Sequence, residues 1–331
     1  MRAQLCSVVV PVFNEEEVLP LAYERLTATL AKTGMDWEFV FVDDGSTDRS
    51  WQMLAALQAR EPRVVAVSLS RNFGHQMAVS AGLDHARGDA VVFIDADLQD
   101  PPEVILQFVE RFREGYDVAY GVREQRLGES VFKRATAALF YRTIRRITSI
   151  DIPADTGDFR IVSRRVADAL RALPEKHRFI RGLVSWVGFR QIAVPYVRQP
   201  RAAGETKYPL RKMLKFASDA LTSFSTAPLR LATTAGLLAS FCAFLYAAWV
   251  IARKLGDGSA VEGWASLIVV VAFLGGLQLL ALGIIGAYVG RIYEQIKDRP
   301  LYVVSEVRSS REAAAPGRVN EYRPPDPIEA K

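Results

Sequence analysis

Val91-Val92-Phe93-Ile94-Asp95-Ala96-Asp97-Leu98-Gln99-Asp100 runs from an unbroken apolar stretch straight into three carboxylates. A strand that is apolar on consecutive positions is buried on both faces, as in a parallel sheet covered by helices. The same texture returns at residues 5–12, 37–43, 64–68 and 118–120, and helix-patterned stretches at 18–32, 47–60, 74–86 and 102–114 fill the gaps. This alternation predicts an α/β domain on a doubly wound, mostly parallel sheet. Ligands of such sheets bind beyond the carboxyl ends of the strands, so the polar turns there are the candidate site.

Four such turns stand out. Asp95 and Asp97, two apart, can both approach one Mg²⁺ or Mn²⁺, hard cations that take oxygen ligands and keep places for substrate phosphates. The same aspartates equally fit capping of the helix begun by Pro101-Pro102, Asp100 above all. Val40-Phe41-Val42-Asp43-Asp44-Gly45-Ser46-Thr47-Asp48 ends a second strand. There Asp43 and Asp44 can accept from ribose hydroxyls or base N–H groups, while Thr47 or Asp48 fits a helix cap. Val10-Pro11-Val12-Phe13-Asn14-Glu15-Glu16 closes the first strand, and Ser70-Arg71-Asn72-Phe73-Gly74-His75 sets a glycine at a helix start, offering backbone donors to an anion. His75 itself reads as a packing group.

The 331 residues carry a formal charge of +5. The basic residues gather around 198–215 and beside apolar segments, which points to a membrane surface or an anionic substrate and not to nucleic acid. Cys6 and Cys242 form no disulfide or metal framework. The N-terminus passes straight into a strand, so no signal peptide is expected. Residues 231–252 and 264–290 carry no charge. At ~1.5 Å per residue the shorter run spans about 33 Å, enough for a hydrocarbon core of about 30 Å. Transmembrane helices are therefore expected at 229–253 and 264–290, with Tyr246, Trp249, Trp264 and Tyr288 towards their ends. Lys207, Arg211, Lys212, Lys215 and Arg230 precede the pair and Arg291, Lys297 and Arg299 follow it, which predicts cytoplasmic termini. Residues 209–228 mix Leu210, Met213, Leu214 and Phe216 with basic residues, suiting a helix in the membrane interface or one packed on the domain. Gly275, Gly276, Gly283, Gly286 and Gly290 leave small-residue surfaces compatible with a homo-oligomer. The expected division is a domain at 1–208, the interfacial segment, the two helices, and a tail at 291–331 that is disordered after about 305.

Six elements in order resemble family 2 glycosyltransferases, and more narrowly the polyprenyl-phosphate type, which includes dolichyl-phosphate mannose synthase and the bacterial undecaprenyl-phosphate (bactoprenol) glucosyltransferases. They are Val10–Glu15, Val42–Ser46, Arg71–Gly74, Asp95–Gln99, Gly157-Asp158-Phe159-Arg160 and Arg201-Ala202-Ala203-Gly204-Glu205-Thr206-Lys207-Tyr208. The resemblance covers about residues 5–300. Thr206 stands where serine is commoner, and the Gln-x-x-Arg-Trp signature of processive synthases is missing.

The resemblance implies a GT-A-like nucleotide-sugar domain. Pro11, Phe13, Glu15, Val42, Asp43, Asp44 and Ala96 would line the donor site, with Asp95, Asp97 and Gln99 at the metal and diphosphate. Arg201 and Lys207 would belong to a loop closing on the diphosphate, and Arg123, Lys133 and Arg134 would meet the acceptor phosphate. The partners implied are a nucleotide sugar, with UDP-glucose suggested by the stretch 201–214, a polyprenyl phosphate and the bacterial inner membrane. A phosphate monoester is mostly dianionic at neutral pH and needs little help from a base; Asp158 or Asp155 would be the candidate, with a structural role equally open. Two other readings remain at this point: transfer to a lipid or protein hydroxyl, which demands a carboxylate base, and a non-enzymatic membrane subunit.

Overall fold

The computed structural model describes residues 4–124, 156–176, 178–199, 226–257 and 263–310. The chain divides into two compact units, residues 1–141, 150–208 and 299–331 forming one and residues 142–149 and 209–298 the other.

The first unit alternates as expected: β1 (Leu5–Val12), α1 (Leu19–Leu30), β2 (Asp36–Asp43), α2 (Ser50–Arg60), β3 (Val64–Leu69), α3 (His75–His85), β4 (Ala90–Phe93), α4 (Val104–Arg113) and β5 (Val118–Arg123). After residue 155 come β6 (Thr156–Ser163), α5 (Arg164–Ala172), α6 (Ile180–Trp186) and β7 (Gln191–Tyr196). The strands form one mostly parallel mixed sheet in the order β7-β5-β6-β4-β1-β2-β3-β8, where β8 is Val304–Ser309. β1 pairs in parallel with β2 and β4, β2 with β3, and β5 with β7, whereas β6 and β8 run against their neighbours. The carboxyl ends of β1, β2, β4, β5 and β7 therefore share one edge of the sheet, where the site lies.

The valine runs explain the core. Val8, Val9, Val10, Val40, Val91 and Val92 are fully buried, so both faces of the central strands are covered. On one face Phe39 packs against Tyr23, Trp37 and Phe41 at ring separations of 5.5, 5.1 and 5.3 Å, and Phe108 meets Phe159 at 4.7 Å. Burying each of these rings removes a large apolar surface from water, at roughly 25 cal/mol per Å².

One expectation is corrected here. The tail does not lose order at about 305, because residues 304–309 are β8, which lies antiparallel along β3. The Ser70 N–H donates to the Val303 carbonyl (2.9 Å), and the buried Tyr302 hydroxyl donates to Asp84 (2.6 Å). An open edge of unpaired N–H and C=O groups is a liability, and β8 covers that of β3. The Pro-, Ala- and charge-rich composition of the tail, averaged over its length, hid the short β-branched run Val303-Val304-Ser305-Glu306-Val307.

The second unit holds α7 (Ala227–Asp257) and α8 (Trp264–Ile296), both longer than the expected spans. Their apolar stretches, Ala227–Ala252 and Val269–Ile296, have mean hydropathies of 2.0 and 2.3 and are not buried by protein, so both are long and apolar enough to cross a membrane. Leu237, Phe244 and Leu279 lie more than three-fifths exposed. Large apolar surfaces of this kind are stable when lipid, not water, surrounds them. The segment 209–225 lies outside the described residues.

Deleting the chain from Val304 onward should uncover the edge of β3 and lower the melting midpoint of the detergent-purified protein by roughly 5 °C or more. Differential scanning fluorimetry checks this; an unchanged midpoint would mean that β8 adds nothing to the sheet.

Candidate active site

The turns after β1 and β2 are bolted together. Asn14, at φ 55°, donates its N–H to Ser46 Oγ (2.9 Å), and its Oδ1 accepts the Thr47 N–H (2.8 Å). The Glu15 N–H reaches Ser50 Oγ (3.0 Å) and the Glu16 N–H reaches Asp48 Oδ2 (3.1 Å). Asp48 also accepts the Ser50 N–H at the start of α2 (2.9 Å), while Arg49 stands at the N-cap position. Between these turns Phe13 stands 45% exposed and Pro11 and Glu15 are half-buried, available to a flat ligand. Val42 and Ala96 are buried.

Asp43 and Asp44 are buried, and burial pushes both carboxyls above their ordinary value. Asp44 accepts the Phe73 N–H (2.7 Å) and the Gly74 N–H (2.9 Å), pinning the turn before α3. Asp43 accepts the Ser46 N–H (3.3 Å) and the Ser68 hydroxyl (3.5 Å). Gly45 lies at φ +71°, and a Cβ there would sit 2.5 Å from the Arg71 carbonyl carbon. These acids thus hold the turns after β2 and β3 together.

The turn after β4 is strained on purpose by its packing. Leu98 takes φ 56°, a costly conformation for a branched side chain, and is held there by burial against Val18 and Ala22 of α1. The Gln99 N–H then donates to Asp97 Oδ1 (3.1 Å), and the Gln99 carbonyl accepts the Gln199 N–H (2.9 Å). Asp100, which also fitted a helix cap, is buried and takes other partners: it accepts the Tyr196 hydroxyl and lies 3.6 Å from Arg198 Nε. Asp95 keeps 37% of its side chain open, yet its surroundings push it up to about 6. Burial is the main cause; His75 opposes it, and the carboxylates Asp158, Asp97 and Asp100 add to it.

Asp95 and Asp97 fit a divalent cation. They offer oxygen donors only, and Asp95 stands in a crowd of negative charge that a cation would relieve. Among the described residues no three His, Cys, Asp or Glu side chains form a metal-holding group. Two carboxylates leave the remaining places of such a cation for other oxygen ligands.

Asp158 sits at the hub of a network. Its carboxylate meets His75 Nε2 (3.1 Å), Gln76 Nε2 (2.9 Å) and Arg181 Nε (3.3 Å). Gln76 in turn accepts the Ile180 N–H (2.9 Å), and the buried Arg160 donates to the Gly157 carbonyl (2.8 Å). Burial would raise Asp158, but Arg181, His75 and Arg160 outweigh it and hold the carboxyl far below the usual range. A carboxylate so strongly held is a poor proton acceptor. His75, 3.7 Å from Asp95 and pushed up to about 9, joins Asp158 to the acidic turn. Burial opposes that rise, but the bond to Asp158 and the charges of Asp95 and Asp158 overcome it. His75 is thus part of the site and not a packing group, and Gln76, Arg181 and Tyr196 carried no signal in sequence.

Arg123 closes the site from β5. Its Nε donates to Tyr196 Oη (3.3 Å), and its Nη2 lies over Gly157, where a Cβ would come within 2.8 Å. Asp155, Lys133, Arg134, Arg201 and Lys207 lie outside the described residues.

The carboxyl edge of the sheet thus gathers a buried acidic pair, a strained acidic turn and a fixed arginine. Residues 7–171 match the model of glycosyl transferase family 2. An uncharacterized glycosyltransferase of Bacillus subtilis is 54% identical over 91% of this chain and 93% of its own. A prophage bactoprenol glucosyl transferase homolog of Escherichia coli is 42% identical over 91% and 99%, and the bactoprenol glucosyl transferase of Shigella phage SfII 43% over 91% and 97%. The chain belongs to glycosyltransferase family 2, in the polyprenyl-phosphate branch that holds the bactoprenol enzymes, and is an enzyme of glycosyl transfer. The reading as a non-enzymatic subunit is set aside.

Gly45→Ala should cost at least about 2 kcal/mol, from the left-handed backbone and the clash with Arg71, and should weaken nucleotide binding. Chemical denaturation together with a nucleotide-binding titration checks both; a variant as stable as the parent would show that the two turns do not rest on one another.

Proposed function

We propose that this enzyme transfers a hexose, glucose from UDP-glucose, to the phosphate of undecaprenyl phosphate on the cytoplasmic face of the bacterial inner membrane, inverting the anomeric carbon. The observation that carries the reading is the meeting, at Gly157, of the Arg123 guanidinium with Asp100 of the acidic turn, whose Asp95 also acts on that guanidinium electrostatically. One side suits a cation on the donor diphosphate, the other an anionic acceptor.

The donor nucleoside lies between Pro11, Phe13 and Glu15 on one turn and Asp43 and Asp44 on the next. Mg²⁺ or Mn²⁺, held by Asp95 and Asp97 with Gln99 beside them, would when bound neutralise charge on the leaving nucleotide. Arg201 and Lys207 close on the diphosphate, and Arg123, Lys133 and Arg134 hold the acceptor phosphate. That acceptor brings its own negative oxygen, so no protein base is required. The tight pairing of Asp158 with His75, Gln76 and Arg181 favours this over a hydroxyl acceptor, which would need a free carboxylate.

The membrane placement has support from connectivity. β7 and β8 belong to one sheet, and α7 and α8 lie between them in the chain. An odd number of crossings would leave β8 across the bilayer from β3, so two spans with both flanks on one side fit the sheet. Arg230 before the pair and Arg291, Lys297 and Arg299 after it favour the cytoplasmic side.

Detergent-purified protein, given undecaprenyl phosphate and Mg²⁺ or Mn²⁺ with a panel of UDP- and GDP-sugars, should release UDP from UDP-glucose only when the lipid phosphate is present. Chelation by EDTA should abolish release, and Asp97→Asn should lower kcat about a hundredfold or more, equivalent to ~3 kcal/mol. Absence of lipid-dependent release with every donor would sink the proposal.

A further inference from the structure

Tyr196, at the carboxyl end of β7, is buried, and its ring is built in from two sides. It packs edge-on against Phe159 with centroids 5.7 Å apart, and it occupies the space over Gly121, where a Cβ would meet the ring at 2.6 Å. Its hydroxyl bridges two opposite charges. It donates to Asp100 Oδ1 and accepts from Arg123 Nε. Asp100 is itself buried and is flanked by Arg198 Nε at 3.6 Å. Arg123 thus has one face fixed by the phenol and the other laid over Gly157, a position that any larger residue would take from it.

A flexible arginine side chain loses much rotamer freedom when it grips a ligand, and that loss lowers affinity. An arginine already held through Nε loses less, and its remaining N–H groups meet a phosphate in a set direction. We propose that Tyr196 is a positioning residue for the acceptor: with Asp100 it locks the Arg123 guanidinium, over Gly157, in the orientation that receives the lipid phosphate. The proposal rests on the reading of Arg123 as an acceptor-phosphate contact and extends it to three residues, Tyr196, Asp100 and Gly157, drawn from two strands and the acidic turn. Because Asp100 follows Asp95 and Asp97 on the same turn, the device also ties the acceptor's arginine to the backbone that carries the donor's metal ligands.

Tyr196→Phe is the sharp probe, since it keeps the ring in its socket and removes only the bridging oxygen. In full-length detergent-solubilised enzyme with UDP-glucose and undecaprenyl phosphate, it should raise the KM for undecaprenyl phosphate roughly tenfold, the scale of one hydrogen bond to a charged group. The KM for UDP-glucose should stay within about twofold. Gly157→Ala, which displaces the guanidinium from the other side, should shift the same constant in the same direction. Arg123→Gln separates the two levels of the argument. If it raises the lipid KM while Tyr196→Phe does not, the acceptor reading stands and the positioning role falls. If Arg123→Gln leaves the lipid KM unchanged, the acceptor reading falls and the proposal with it. Equal shifts in both KM values for Tyr196→Phe, with a lowered melting midpoint, would mark a merely structural residue and also overturn it.

Discussion

Asp95, Asp97, Asp100 and Asp158 converge at one edge of the sheet, and their mutual repulsion is the constraint around which the site is built. Carboxylates held together in a partly dry cleft raise one another's proton affinity unless cations balance them. The protein balances two of them internally. Asp158 is matched by His75 and Arg181, and Asp100 by Arg198, with Arg123 linked to it through the Tyr196 hydroxyl. Asp95 retains an excess of negative surroundings and an opening to solvent. That remaining imbalance suits a divalent cation, whose charge would relieve it.

The scaffold that concentrates these groups follows from how the strands are buried. Strands covered on both faces leave polar side chains room only at their ends. Asp44 shows the consequence at close range. Its carboxylate has to accept hydrogen bonds where it stands, and it takes them from the backbone of Phe73 and Gly74, so one acid shapes the turn that launches α3 and carries His75. Gly45 allows that turn to lie against β2's end. Leu98 does the corresponding work for Asp97 and Gln99, its burial against α1 offsetting a backbone angle that would otherwise relax.

Much of this was legible in sequence because it is local. Runs of consecutive apolar residues marked β1 to β5, and acids at the ends of several of them marked the polar edge of the sheet. The two apolar helices were plain from length alone, and Arg123 was visible as a cation just past a strand. What sequence concealed is long-range pairing. Nothing near His75 announces Asp158, which lies 83 residues away, and nothing near Tyr196 announces Asp100, 96 residues away. Asp158 was visible as an acid but not as a paired one. β8 was missed for a different reason: its outward residues, Ser305, Glu306 and Arg308, are those of an edge strand facing water, and they blend into a charged tail.

The late position of β8 also sets an order of events during synthesis. The sheet lacks its last strand until the ribosome has made α7 and α8 and passed residue 309. Until then β3 offers an open edge, to which other nascent chains could add. If the helical pair crosses a bilayer, as proposed above, only a chain that has threaded it correctly brings the closing strand home. A copy whose pair is misplaced keeps, by the same topology, an uncovered edge on β3.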